Sequence, residues 1–204
     1  MKIAVIDYGL GNLASVCQGL RAVGLEAALT GSADEILSSR AVILPGVGAF
    51  AKGMENLSRL GLIPVLKEVA ECGIPLLGIC LGMQLLFEES EEHGVHQGLG
   101  LLPGRIRRFP PGLKVPHMGW NNLELVNPGQ ILANIPDQSY VYFVHSYHAS
   151  DCRSEHIAAI TNYGIDFPSA VSTGRILGMQ FHPEKSSRVG LQILKNFGEL
   201  VKKC

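Results

Sequence analysis

The sequence has no excess of charge of either sign. Its 17 lysines and arginines are balanced by 18 aspartates and glutamates, which leaves a net charge of −1. Nucleic acids and anionic membranes are bound through an excess of positive charge, so neither is indicated as a partner. Charged residues are only 17% of the chain and hydrophobic residues 47%. A surface with so little charge is compatible with a permanent protein partner.

The sequence also lacks the cysteine pattern of a disulfide framework or of a cysteine zinc site. Its cysteines are odd in number, and no two have the Cys-x-x-Cys spacing that zinc sites use. No apolar run approaches membrane-spanning length, and Met1 leads directly into an apolar strand rather than a signal peptide. These absences predict a cytoplasmic protein.

What is present is an alternation of strand and helix patterns. A chain of 204 residues suits one domain, 1–204, which can bury a full core. Apolar strands are predicted at 3–6, 25–29, 41–44 and 75–79. Helical patterns lie between them, the longest at 54–72. The alternation predicts an α/β fold with three layers, in which helices cover both faces of a mostly parallel sheet.

The C-terminal half has a different pattern. After about Gly94, short β-rich segments are separated by prolines and glycines, and residues 187–201 have the spacing of a final amphipathic helix. We expect antiparallel strands that are added to the same central sheet.

Cys80 lies where a predicted strand meets a predicted helix. The apolar run 75–79 precedes it, and from Met83 the spacing is helical, with Leu86 and Phe87 on one face. A thiol at the start of a helix faces unpaired N–H groups and the positive end of the helix dipole, which favour thiolate.

Glycines flank this cysteine on both sides. Gly78 and Gly82 permit a sharp strand-to-helix turn that lifts Cys80 out of the sheet, as in a nucleophile elbow with sulfur in place of hydroxyl. From this spacing alone, a buried structural cysteine is an equally good interpretation.

His182 and Glu184 form the second informative pair. Two residues apart at a strand end, their side chains can project to the same side. A cysteine nucleophile needs an imidazole to take its proton, and the imidazole needs an acceptor that holds its tautomer. His145 and His148 hint at a metal, but no carboxylate lies at ligand spacing, so no metal site is predicted.

Two glycine-containing loops follow predicted strands. Gly9-x-Gly11-x-x-Ala14 imitates a dinucleotide fingerprint, but the second strand lacks the acidic residue that would hold a ribose. No nucleotide cofactor is therefore predicted. The loop from Pro45 to Phe50 allows close backbone approach to a ligand, and an ordinary turn explains it equally well.

Two of these stretches together carry a resemblance. Gly-Ile-Cys80-Leu-Gly-Met-Gln84 with Phe-His182-Pro-Glu184 closely resembles the triad-type glutamine amidotransferases. Their glutaminase domains have a Pro-Gly-x-Gly loop, a cysteine elbow and His-x-Glu in this order, over nearly the whole chain. The resemblance implies that Cys80 attacks the side-chain amide of glutamine. It also implies that His182 is the general base and acid, oriented by Glu184.

The same resemblance implies the rest of the site, and no cofactor. The oxyanion hole would be formed by the backbone N–H of Leu81 and one near Val47 or Gly48. The residues that hold the substrate would be Gln84, Gly46, Ser146 and Tyr147.

Other stretches narrow the resemblance within that family. They are Asp7-Tyr-Gly-Leu-Gly-Asn12-Leu, Val115-Pro-His-Met-Gly-Trp120-Asn121, Tyr142-Phe-Val-His-Ser-Tyr147 and His182-Pro-Glu-Lys-Ser-Ser187. They look like those of separate glutaminase subunits that serve histidine biosynthesis. Such a subunit implies a heterodimer with a (β/α)8-barrel cyclase, which receives ammonia through an internal channel. The chain is too short to contain an acceptor domain of its own, which favours a separate partner.

Candidates for the partner interface follow from this resemblance: Asn12, Met118, Trp120, Tyr142 and Lys185. For Trp120, packing in the core is the alternative. Two other functions are compatible with the motifs. One is the glutaminase component of another amidotransferase, and the other is a cysteine-based redox or binding protein on a similar fold.

Overall fold

The structure, a computed structural model, describes residues 2–202. The first half alternates strands and helices: β1 Lys2–Ile6, α1 Leu13–Ala22, β2 Glu26–Thr30, α2 Ala33–Leu37, β3 Ala41–Gly46, α3 Phe50–Arg59, α4 Leu62–Glu71, β4 Leu76–Cys80 and α5 Leu81–Leu85. The second half is mostly strands: β5 Phe87–Ser90, β6 His96–Gln97, β7 Leu102–Arg108, β8 His117–Asn122, β9 Glu124–Leu125, β10 Tyr140–His145, β11 Tyr147–Ser150, β12 Ile157–Asn162, β13 Asp166–Thr173 and β14 Ile176–Met179. A 3-10 turn, Pro183–Lys185, then leads into α6, Ser187–Lys202.

The centre of the fold is an eight-stranded sheet with the order β2-β1-β3-β4-β14-β13-β12-β9. From β2 to β14 the neighbouring strands are parallel, and β13, β12 and β9 continue the sheet in antiparallel fashion. Every residue of β3 and β4 is buried, as expected for parallel strands that are covered on both faces. The predicted α/β fold with a mostly parallel central sheet is confirmed.

The two faces of this sheet carry separate apolar cores. Val5 of β1 packs in one core with Leu20 of α1 and Phe197 of α6. The next residue, Ile6, faces the other core, where it packs with Leu66 of α4. Adjacent strand residues point to opposite faces, so this alternation places helices on both sides of the sheet. Each such buried side chain stabilises the fold by roughly 1.5–3 kcal/mol.

The predictions for the C-terminal strands and for the helix after Cys80 were wrong in part. Strands β11, β7, β5 and β6 form a second, four-stranded sheet, and within residues 2–202 β10 pairs only with β8, so these strands do not join the central sheet. The helix after Cys80 ends at Leu85, and residues 87–90 pair with β7 as a strand. The helical material predicted over 54–72 is confirmed, and it forms two helices, α3 and α4, with Gly61 at a left-handed φ of 67° between them.

The carboxyl ends of the parallel strands place four loops at one edge. Gly46, the last residue of β3, lies opposite Cys80, the last residue of β4, and Met179 of β14 lies opposite Ile79. The loops that follow β1, β3, β4 and β14 therefore converge, and open α/β sheets bind ligands at such an edge. No helix in the part of the chain from 2 to 202 is long and apolar enough to cross a bilayer.

Candidate active site

Cys80 lies in a sharp turn between β4 and α5. Its φ of 54° and ψ of −111° are unfavourable for a residue with a side chain, and such strain is concentrated at functional sites. Gly82 makes the turn possible, since a Cβ there would overlap the carbonyl oxygen of Leu44. At Gly78, a Cβ would come within 2.7 Å of the backbone of Gly82. The strand-to-helix elbow predicted from the two glycines is confirmed.

The environment of the sulfur differs from the prediction. Because α5 has only five residues, few peptide dipoles are aligned behind Cys80 and the expected dipole effect is small. The sulfur instead lies 3.8 Å from the carbonyl oxygen of Val144 and 3.9 Å from the side-chain nitrogen of Gln180. The thiol can therefore donate to the first group while it accepts from the second, at a position only 6% exposed.

His182 and Glu184 form a buried pair shortly after β14, at the 3-10 turn Pro183–Lys185. Nδ1 of His182 is 2.7 Å from Oε1 of Glu184, and their side chains are 2% and 1% exposed. A carboxylate accepts hydrogen bonds, so Nδ1 of the ring carries the proton and Nε2 is the atom left for proton transfer. The structure thus brings together the two residues that the sequence pattern paired.

The free nitrogen of His182 is held close to Cys80 without a well-aligned hydrogen bond. Its Nε2 is buried and has no partner of ordinary hydrogen-bond geometry among residues 2–202. Burial lowers the pKa of His182, but its interactions with Cys80 and then with Glu184 outweigh burial and raise the pKa to about 10. This favours a proton on His182 near neutral pH, which is the state of a base that has taken the proton of the thiol.

A cavity of about 250 Å³ opens at Cys80. It is somewhat smaller than the roughly 300–1,000 Å³ typical of ligand pockets, which suits one small polar molecule. Its lining is Val47, Gly48, Cys80, Leu81, Gln84, Glu92, Pro116, Val144, His145, Ser146 and Tyr147. All the predicted oxyanion and substrate residues are in this set except Gly46, which lies behind the wall, closely packed against Tyr8 and Leu81.

Gln84 is engaged inside the protein. Its Nε2 donates to the carbonyl oxygen of Tyr147 at 2.9 Å and to Oε1 of Gln180 at 3.0 Å. Both hydrogens of its amide are therefore used, and only its Oε1 is left to face a ligand.

Two polar residues of the site were not predicted from the sequence. Glu92 lines the cavity and its Oε2 accepts from the N–H of Phe50 at 2.6 Å, at the start of α3. It lies in an acidic run, 88–92, that has the pattern of a solvated surface. Gln180 offered a clearer signal, because it precedes His182 by two residues and strand period 2 puts both on one side.

Tyr8 was also not singled out. Its hydroxyl is buried, lies against Gly46, and has no hydrogen-bond partner within the described residues. Burial, and then the charge of Cys80, raise the pKa of Tyr8, so the phenol stays neutral.

The predicted docking residues lie on more than one element. Met118 and Trp120 of β8 are 65% and 53% exposed, and Tyr142 of β10 pairs with Trp120 across the two-stranded β8–β10 ribbon. The exposure of Trp120 rules out the alternative of core packing. Lys185 is exposed after the triad pair, and Asn12 accepts from the N–H of Ser15 at the start of α1.

The described part of the chain has no group of three or more metal-ligating side chains placed to hold an ion. Cysteines 17, 72, 80 and 152 are free thiols. Cys204 lies outside the described residues.

The sequence matches the family model "Glutamine amidotransferase class-I" over residues 4–200. The chain belongs to this family. Membership makes it an enzyme, a glutamine amidotransferase, in agreement with the resemblance stated from Cys80, His182 and Glu184.

Curated relatives refine the comparison. Imidazole glycerol phosphate synthase subunit HisH of Moorella thermoacetica is 52% identical over 200 residues, which cover 98% of this chain and 95% of that protein. Subunit HisH of Bacillus cereus is 53% identical over 199 residues, with 98% and 95% covered. Among solved structures, PurLQS from Thermotoga maritima has a TM-score of 0.77 at 18% identity and covers 98% of both chains, which shows the same fold.

Proposed function

We propose that this chain is the glutaminase subunit of an imidazole glycerol phosphate synthase. It hydrolyses glutamine to glutamate and ammonia through a thioester on Cys80. A cyclase subunit then uses the ammonia to make imidazole glycerol phosphate and aminoimidazole carboxamide ribotide for histidine biosynthesis. The observation that carries the proposal is the buried pair beside Cys80, in which Nδ1 of His182 is 2.7 Å from Oε1 of Glu184. The chain that contains this pair is about half identical to HisH proteins.

The first chemical step is attack by sulfur. Sγ of Cys80, whose proton has already passed to Nε2 of His182, bonds as a thiolate to the amide carbon of the glutamine side chain. The tetrahedral intermediate collapses when His182 returns that proton to nitrogen, and ammonia leaves. The remaining γ-glutamyl thioester is hydrolysed by water, whose proton His182 accepts, and glutamate is released. Glu184 stabilises the imidazolium form in both halves of the reaction.

The developing oxyanion needs donors near the elbow. The N–H of Leu81 follows the nucleophile directly, which is the position of one donor in a nucleophile elbow. A second donor would come from the Val47–Gly48 loop across the cavity, and Gly48, with a φ of 103°, permits backbone orientations closed to other residues. Loss of one such donor typically lowers the rate by ~10²–10³.

Other residues that line the cavity have groups that can bind the amino-acid part of glutamine. The Glu92 carboxylate can pair with the α-ammonium group of glutamine, and its other role, capping α3, holds it in place. Ser146 and Tyr147 supply the wall beside it, and Gln84 contributes its Oε1.

The partner would dock on the exposed face of the β8–β10 ribbon, which we call the docking face: Met118, Trp120, Tyr140 and Tyr142. Exposed aromatic and methionine side chains are typical of protein interfaces. Val144, which lies opposite Met118 in the ribbon, also lines the cavity at Cys80, so the docking face adjoins the site where ammonia forms. The proposed partner is a cytoplasmic (β/α)8-barrel cyclase in a heterodimer with a one-domain glutaminase, 1–204.

The test uses the complex with the cyclase subunit. Replacement Cys80→Ala should abolish synthesis from glutamine and leave synthesis from added ammonium intact. Cys72→Ala, which changes an exposed free cysteine, is the matched control and should affect neither activity. Loss of both activities in Cys80→Ala, or synthesis from glutamine without Cys80, would contradict the proposal.

A further inference from the structure

A continuous series of hydrogen bonds connects the strand of the docking face with the wall of the cavity. Nδ2 of Asn121 lies 3.3 Å from Nε2 of His117. Nδ1 of His117 lies 3.1 Å from Nε2 of His145, and Nδ1 of His145 lies 2.8 Å from the carbonyl oxygen of Tyr147. We call the four residues the histidine relay.

Only one assignment of protons satisfies all three bonds. An amide nitrogen donates, so Nε2 of His117 accepts from Asn121 and the proton of this ring is on Nδ1. That proton is donated to Nε2 of His145, which leaves the proton of the second ring on its own Nδ1. From there it is donated to the carbonyl of Tyr147. Both imidazoles must be neutral, because a second proton on either ring would remove an acceptor.

The surroundings keep the two rings neutral and fixed. The rings are only 3% and 6% exposed, and burial lowers the pKa of His117 to about 4. For His145, burial outweighs the hydrogen bond to Tyr147 and lowers the pKa to about 3. His117 stacks between Phe143 and Tyr163, with ring centroids 4.8 and 4.0 Å away, so its ring cannot turn freely.

The histidine relay ends at the carbonyl oxygen of Tyr147, which also accepts a hydrogen bond from a residue of the cavity wall. The carbonyl of Tyr147 accepts a second bond from Gln84, and the same amide of Gln84 donates to Gln180. Gln180 in turn faces the sulfur of Cys80 at 3.9 Å. The position of the Tyr147 carbonyl therefore determines both the position of the cavity wall and that of the Gln180 amide next to Cys80.

We propose that His117 and His145 are positioning residues for glutamine hydrolysis, which hold the Tyr147 carbonyl so that the Ser146–Tyr147 wall and Gln84 face Cys80 correctly. The inference rests on the proposed function, because it takes this wall to bind glutamine. Asn121 and His117 are on β8, next to Trp120, so the strand that carries the docking face also carries the relay.

His145→Phe tests the proposal, because phenylalanine keeps the packing against Phe109, Phe143 and Phe167 but removes the donor to Tyr147. In the complex with the cyclase, we expect the KM for glutamine to rise about tenfold, the loss of one hydrogen bond, with kcat within about threefold. His145→Asn places an amide nitrogen near the former Nδ1, so its KM should lie close to the wild-type value and well below that of His145→Phe.

His148→Phe is the matched control. His148 is buried beside the same Phe109 and Phe167, but it bonds to Ala149 and not to Tyr147. His148→Phe should therefore leave the KM for glutamine unchanged. A second variant, His117→Phe, keeps the stacking with Phe143 and Tyr163 and removes the donor to His145; a smaller rise in KM, of about threefold, is expected.

The ring protons give an independent readout. Nitrogen-15 NMR of the wild-type chain at pH 6 should show neutral rings with the proton on Nδ1 in both His117 and His145; a proton on Nε2 or an imidazolium would contradict the relay. Absence of glutamine hydrolysis by the wild-type complex would instead contradict the proposed function. If the wild type is active, an unchanged KM in His145→Phe, or an equal rise in His148→Phe, would show that the positioning role is wrong.

Discussion

The stability of the fold should fall in mild acid because of its buried neutral histidines. Burial lowers the pKa of His117 to about 4 and of His145 to about 3, whereas in the unfolded chain both titrate near ~6.5. Below that value the unfolded state binds protons that the folded state does not. The free energy of unfolding therefore decreases as pH falls from about 6.5 toward the folded pKa values.

The magnitude follows from the titration of the unfolded chain. Between pH 7 and pH 5, each histidine that stays neutral in the fold lowers the free energy of unfolding by about 2 kcal/mol, so the pair lowers it by about 4 kcal/mol. His148, whose pKa burial also lowers, acts in the same direction.

His182 acts in the opposite direction. Its pKa is raised to about 10 because its bonds to Cys80 and Glu184 outweigh burial. Its stabilising contribution is fully present below about pH 6.5 and is lost as pH rises toward 10. Between pH 7 and pH 5 it therefore raises the free energy of unfolding by about 1 kcal/mol. The net loss from His117, His145 and His182 is then about 3 kcal/mol, a large part of the ~5–15 kcal/mol of a typical fold.

Urea unfolding followed by circular dichroism at pH 7 and pH 5 measures this difference directly. His145→Phe removes one titrating group. It should therefore make the decrease in the free energy of unfolding between pH 7 and pH 5 smaller by about 2 kcal/mol, whatever it does to stability at pH 7. His93→Asn changes an exposed histidine and should leave the loss as in the wild type; asparagine tolerates the φ of 57° at this position. Equal stability of the wild type at both pH values, or an unchanged decrease in His145→Phe, would show that the fold does not keep these rings neutral.

Three further predictions concern the site and the docking face. Glu184→Gln should lower kcat for glutamine by at least ~10²-fold, since the ring loses its charged acceptor, while ammonium-dependent synthesis in the complex persists; loss of both would point to a structural role. Trp120→Ala should weaken binding of the cyclase by about 2 kcal/mol, roughly 30-fold by calorimetry, and Leu60→Ala, which trims an exposed leucine elsewhere, should not. Tyr8→Phe removes a buried hydroxyl with no partner among residues 2–202 and should raise the free energy of unfolding by about 1 kcal/mol, whereas a decrease would reveal an unseen partner.

The elements that were predictable from the sequence are those that local chemistry determines. The buried strands of the parallel sheet are continuous apolar runs, and a Cβ at position 78 would meet the backbone of Gly82, within the turn itself. Glycine at 82 is required by Leu44 of β3, which is a long-range contact. His182 and Glu184 are close in sequence, and the 3-10 turn Pro183–Lys185, rather than the predicted strand end, brings their side chains together.

The parts that were predicted wrongly depend on long-range pairing. Residues 81–87 have helical spacing, yet Phe87 pairs with Leu102 of β7 as a strand, which no local pattern indicates. The separate β8–β10 ribbon likewise depends on partners 18–28 positions apart along the chain, such as Asn122 with Tyr140 and His117 with His145.

Polar residues of the site were the least predictable. His117 and His145 are polar in type but buried among aromatic rings, which is possible only because each ring nitrogen has a partner. Gln84 matched a substrate-binding position, but its amide nitrogen is used by Tyr147 and Gln180, and that becomes evident only when the loops are placed together.

In the proposed reaction, Cys80 is the nucleophile that attacks glutamine. The most direct measurement is mass spectrometry of the chain, in complex with the cyclase subunit, after reaction with the glutamine analogue 6-diazo-5-oxo-norleucine. We predict a single modification on Cys80, prevented by excess glutamine and absent from Cys80→Ala. Modification of another residue, or labelling that persists in Cys80→Ala, would show that Cys80 is not the nucleophile.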